Sequence, residues 1–90
     1  LIKSYLYALT ESYSMPKVMM FLNAGVKLTT EGSEVLDNLQ KLADAGTEII
    51  SCGTCLDFYG LKEKVKVGII GNMYMIVEKM NNSGKVINIG

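Results

Sequence analysis

The run Lys17-Val18-Met19-Met20-Phe21-Leu22 is apolar from Val18 onward, with no polar residue at alternate positions. A strand of that kind is buried on both faces, the usual situation in a parallel sheet. Parallel neighbours need crossover connections, so helices must lie between the strands and cover them. The rest of the chain has the pattern to supply them. Residues 1–13 place Ile2, Tyr5, Leu6, Leu9 and Tyr13 on one helical face. Ser14-Met15-Pro16 ends that helix, because the residue before proline avoids the helical region. A loop is expected over 23–30. From Glu31 onward, Val35, Leu36, Leu39, Leu42 and Ala43 recur at helical spacing. Further strands are expected over 47–51, 65–70 and 85–89. Between them, 53–64 gives one or two helical turns broken at Gly60. A longer helix over 72–80 turns Met73, Ile76, Val77 and Met80 one way.

Strand and helix therefore alternate four times with short connections. That rhythm predicts a three-layer α/β/α domain on a parallel sheet with right-handed crossovers. Ligands of such sheets bind at the carboxyl ends of the strands. Asn23, Cys52 and Asn72 each follow or close a different strand, so the topology predicts that they share one rim.

Composition narrows the function. Ninety residues make one domain, 49% apolar and 20% charged, as in a folded globule. Nine basic residues, all lysine, balance nine acids. A neutral chain without arginine lacks the charge pattern of a nucleic-acid binder. No apolar run reaches membrane-spanning length, and a soluble, cytoplasmic chain is expected. With no histidine, neither a Cys-His nor a Ser-His pair can form within the chain. Two thiolates alone do not complete a tetrahedral zinc site, and no metal or cofactor is expected. Residue 1 is leucine and the chain opens in helical rhythm, so residues 1–90 are read as a fragment whose first strand is missing.

Both cysteines lie in Ile49-Ile50-Ser51-Cys52-Gly53-Thr54-Cys55-Leu56, three positions apart at a strand-to-helix junction. An ordinary thiol, with a pKa of about 8.5, is only a few per cent ionised at neutral pH. Unpaired N–H groups where a helix begins stabilise a thiolate placed there. Cys52 is therefore expected to be the reachable nucleophile and Cys55 the resolving or partner thiol. The bland alternative is that both are small buried apolar residues. Thioredoxin is a poor match, since Pro16 precedes the motif and no proline follows it.

The segments Phe21-Leu22-Asn23-Ala24-Gly25-Val26-Lys27-Leu28-Thr29-Thr30-Glu31-Gly32-Ser33, Ser51-Cys52-Gly53-Thr54-Cys55-Leu56-Asp57-Phe58-Tyr59-Gly60-Leu61 and Gly71-Asn72-Met73-Tyr74 keep their order and spacing. Together they resemble the carboxy-terminal, DsrE-like domain of YedF-type selenium-metabolism proteins, described as sulfurtransferase-like. The resemblance implies the same α/β/α fold, a first strand before Leu1 and a SirA/TusA-like domain upstream. It also implies homo-oligomers and a persulfide relay on one strand-end cysteine, with Cys52 the counterpart by position. Cys55 has no counterpart in the simple relay members.

The candidate substrate-binding set is Asn23, Gly25, Lys27, Gly53, Thr54 and Asn72, beside Cys52 and Cys55. Each has a plainer reading. Asn23 and Asn72 suit turns for local reasons, and Lys27 suits a solvated loop. The six methionines read as adaptable core filler, and Phe58-Tyr59 as packing over the short helix. Three functions follow as expectations. The first is a sulfur or selenium carrier working between donor and acceptor proteins. The second is a dithiol/disulfide redox protein. The third is a non-catalytic oligomerising domain.

Overall fold

In the computed structural model, which describes residues Leu1–Gly90, four parallel strands form one sheet in the order β3-β2-β1-β4. These are β1 (Val18–Phe21), β2 (Glu48–Cys52), β3 (Ile69–Gly71) and β4 (Val86–Ile89). Four α-helices accompany them: α1 (Ile2–Thr10), α2 (Leu36–Asp44), α3 (Gly53–Tyr59) and α4 (Met73–Asn82). All four residues of β1 are buried, as its unbroken apolar run requires. Its register fixes both neighbours, with Phe21 opposite Ser51 of β2 and Ile89 of β4.

The layers can be traced from β2. Glu48 accepts a 2.9 Å bond from Lys79 of α4. Ile50 lies against the position where a side chain on Gly71 would stand, beside Ile76 of α4. Alternation then turns Ile49 and Ser51 to the opposite layer. There α1 packs on α2, and Leu6, Leu39 and Leu42 are fully buried. The result is the expected three-layer arrangement around a continuous core that includes Met19, Met20 and Phe21.

Several boundaries differ from expectation for local reasons. Residues Asn23–Thr29 form a 3-10 helix instead of a loop. The hydroxyls of Thr29 and Thr30 each donate 3.0 Å back to the carbonyl three residues earlier, on Val26 and Lys27. Those bonds reinforce the three-residue turn. Helix α2 begins at Leu36, not near Glu31. The Glu31 N–H is committed to the Lys64 carbonyl at 2.9 Å, and Gly32 has φ +91, which no helix permits.

The third strand is only Ile69–Gly71. Val65 bridges antiparallel to Thr30 instead, and the Lys66 N–H donates 2.8 Å to the Thr29 carbonyl. Gly68, at φ +82, separates this segment from β3. A Cβ there would run into the backbone and side chain of Ile49. Helix α1 turns Ile2, Leu6 and Leu9 inward as expected, but two helices depart from expectation at other positions. Helix α1 stops at Thr10, so Tyr13 is fully exposed outside it. On α4 only Ile76 is buried, while Met73, Val77 and Met80 face outward with Tyr74.

Gly25 has a structural duty. A Cβ at this buried position would collide with the carbonyl oxygen of Ile89 and lie 2.9 Å from its carbonyl carbon. The 3-10 helix thus rests on the end of β4, backbone against backbone. Urea unfolding should show Gly25→Ala losing about 1–3 kcal/mol through overpacking. Phe21→Ala should lose about 3–5 kcal/mol, whereas Tyr13→Ala should stay within about 0.5 kcal/mol of the parent.

Candidate functional site

The carboxyl ends of β1, β2 and β3 meet at one rim, which brings Asn23, the two thiols and Asn72 to the same edge. Cys52 is the last residue of β2, in register with Gly71 of β3, and α3 starts at the next residue. The expectation that Cys52 is the reachable sulfur needs correction. Its side chain is 2% exposed and belongs to the core, and no capping hydrogen bond reaches it. The strand continues through Cys52 as a buried ladder residue, so its sulfur points into packing instead of up from the rim.

Cys55, one turn into α3, is half-buried and takes the place expected of Cys52. Its Sγ accepts the backbone N–H of Asn23 at 3.1 Å. Asn23 can aim that N–H because it adopts a left-handed conformation, φ 49, which asparagine tolerates better than most residues. Helical side chains lean toward the helix start, which brings Cys55 back over Cys52. Burial pushes the Cys55 thiol above its ordinary pKa. The Asn23 N–H opposes this, while Cys52 adds to it by hydrogen bonding and by charge.

A cavity of about 300 Å³ opens over Cys55, lined also by Asn23, Thr54, Phe58 and Tyr59. Phe58 and Tyr59 stand edge to face with ring centroids 5.0 Å apart. They line the cavity, and Phe58 is 80% exposed, so it does not pack over the helix as the sequence suggested. The Lys27 ammonium sits 4.6 Å from the centroid of the Tyr59 ring.

The other candidates divide. Thr54 is at the cavity. Gly53 is buried, where a Cβ would come 3.3 Å from Ile70, so its smallness lets α3 start close against β3. Gly25 is occupied with Ile89, as described. Asn72 caps α4, its Oδ1 accepting the Met75 N–H at 2.9 Å, which is the plain turn-forming role. No group of three or more Cys, Asp or Glu side chains is disposed to hold a metal ion.

One supporting pair was not foreseen. The hydroxyls of Thr29 and Ser51 meet at 2.7 Å in the interior, Ser51 being fully buried. They tie the 3-10 helix that carries Asn23 to the strand that carries Cys52. The only sequence signal was a polar serine closing an otherwise apolar strand.

Fold and site together define a parallel α/β protein with paired cysteines at the carboxyl rim of its sheet. The model of the DsrE/DsrF-like family matches residues 6–89, and the chain belongs to that family. The family is related to sulfur relay, consistent with a sulfurtransferase-like role. A search of curated proteins gave no match. No helix is long and apolar enough to cross a membrane.

The rate of Cys55 alkylation against pH should have its midpoint above the ordinary cysteine range, read by mass spectrometry of the modified peptide. Cys52→Ala should lower that midpoint, since both influences of Cys52 are upward. Folding raises this pKa, so the thiol's contribution to stability is intact below the unfolded-chain value. It is lost as pH climbs through the folded value.

Proposed function

We propose that this chain is a sulfur carrier in which the Cys52–Cys55 pair receives a sulfane sulfur and hands it on. Cys55 is the point of entry and Cys52 the partner sulfur beneath it. The observation that carries the reading is the half-buried Cys55 sulfur at the cavity, held by the Asn23 N–H with Cys52 alongside. Membership of a sulfur-relay family supports it independently.

In the forward step the Cys55 thiolate attacks the outer sulfur of a donor persulfide. A sulfur–sulfur bond forms at Sγ, the donor's own bond breaks, and the donor leaves as a thiolate with the electron pair. An acceptor thiolate then attacks the terminal sulfur and frees Cys55. Nothing is oxidised overall. Selenium can follow the same path, and the resemblance to YedF-type selenium-metabolism proteins supports that finer reading. The cytoplasm, protein donors and acceptors, and a TusA-like domain upstream belong to the same proposal. An assembly of several copies is supported by the outward apolar residues Met73, Tyr74 and Val77 of α4 and Ile69 and Ile70 of β3.

A second reading has one observation in its favour. Cys52 neighbours Cys55 from the end of β2 and acts on its titration, which is what a pair cycling between dithiol and disulfide requires. Intact-protein mass spectrometry after polysulfide treatment and desalting separates the two. The carrier reading expects the gain of one or more sulfur masses, abolished in Cys55→Ala and retained in Cys52→Ala. A gain that persists in Cys55→Ala overturns the assignment. Loss of two hydrogens with no sulfur retained favours the redox reading. Thiols that resist every reagent in the native protein would leave only an oligomerising domain.

A further inference from the structure

The N–H of Asn23 leaves the sheet and goes to sulfur. Strand β1 pairs with β4 as far as Phe21 and Ile89, and the Leu22 N–H still donates 2.8 Å to the Ile89 carbonyl. One residue later the chain turns left-handed at φ 49, where Asn23 is the only residue other than glycine with a positive φ. Just beyond it, the Gly25 N–H donates 2.8 Å back to the Leu22 carbonyl. The turn is thus pinned on both sides. Between the pins, the Asn23 N–H reaches the Cys55 Sγ at 3.1 Å, across 32 positions of sequence. The Asn23 side chain is exposed, and it is the backbone that bonds the sulfur. What the side chain contributes is tolerance of φ 49, which a β-branched residue lacks.

Few titratable groups face Cys55. Cys52 stands beside it at the end of β2, and Tyr59 shares its cavity from the next turn of α3. No lysine, aspartate or glutamate lines that cavity. Lys27 of the 3-10 helix lies over the Tyr59 ring and lines the neighbouring cavity, and Lys62, near Gly53 at the start of α3, is held by Asp57 at 3.1 Å. Burial and Cys52 both push the Cys55 thiol up, and the Asn23 N–H is the one influence that pulls it down.

Resting on the carrier reading above, we propose that the Asn23 N–H is the donor that receives the Cys55 thiolate as it leaves, and that the left-handed turn at Asn23 holds this donor on the sulfur. In the hand-on step an acceptor thiolate attacks the terminal sulfur of the Cys55 persulfide. A new sulfur–sulfur bond forms on the acceptor, the bond to Sγ breaks, and its electron pair stays on Sγ as a thiolate. A less basic thiolate leaves faster, and a hydrogen bond to the anion lowers its basicity. The donor is in place before the step, so nothing has to reorganise as the charge develops. The same bond favours the thiolate at loading, where Cys55 is the attacking atom.

Amide exchange, alkylation and transfer kinetics test this together. Near neutral pH, the Asn23 amide should exchange with deuterium faster in Cys55→Ala than in the parent, read by NMR. Equal exchange in the two overturns the proposal. Asn23→Val, which is strained at φ 49, should raise the pH midpoint of Cys55 alkylation by iodoacetamide by about one unit. It should also slow the passage of sulfur from loaded protein to a small thiol by about threefold. Asn23→Gly adopts the turn freely and should keep both at parent values. A turn that is merely structural gives another pattern: Asn23→Val loses stability in urea while midpoint and transfer rate stay put. That result overturns the proposal, as does an equal shift in Asn23→Gly. Loading from polysulfide is measured in the same proteins. Loading that proceeds with midpoint and rate indifferent to Asn23 overturns the donor and leaves the carrier reading standing. No loading in any of them, the parent included, overturns both.

Discussion

The parallel pairing of β1 with β2 governs the rest of this molecule. Two adjacent strands whose hydrophobic residues are sealed on both faces must carry cover on each side. Helices α1 and α2 provide one cover and α4 the other. Every strand runs the same way, so all the chain exits gather at one end. A buried hydrophobic ladder therefore decides where two sulfur atoms stand. Chemistry at that end depends on a packing requirement several residues away.

At the rim the two cysteines receive different environments from the same three-residue spacing. One closes a strand and sinks with it; the other rides on a helix and reaches a cavity. The backbone N–H of Asn23 arrives from another connection, because the 3-10 helix is clamped at both ends. Near its start Gly25 rests on Ile89, and near its finish Thr29 is bonded to Ser51. Placement of the sulfur is thus a property of three chain segments together. Neither cysteine acquires its surroundings from its own helix alone.

Much of this was legible beforehand. The unbroken apolar run at Val18–Phe21 is a reliable sign of a doubly covered strand, since no other local arrangement tolerates it well. Bringing the chain at Asn23, Cys52 and Asn72 to one edge followed from topology alone. What could not be read was depth. Cys52 and Cys55 both suit a strand-to-helix junction, and which sulfur is covered depends on how α3 settles on β2 and on the 3-10 helix. The 65–70 segment misled for a related reason. Its valines fit a strand, but Gly68 breaks the run where Ile49 leaves no room for a side chain. Phe58 looked like a packing residue because aromatics usually are, yet it stands exposed beside the cavity, whereas Tyr59 does pack against the core.

The Thr29–Ser51 contact has a directional consequence. Thr29 already donates its single hydroxyl hydrogen to the Val26 carbonyl, so the hydrogen between the two side chains must come from Ser51. The pair is therefore polarised one way and is not interchangeable. Replacing Ser51 with alanine strips an acceptor of a visitor, but Thr29 keeps its own outlet. Replacing Thr29 with valine strands a serine hydroxyl in dry surroundings with nowhere to point, the costlier injury of the two.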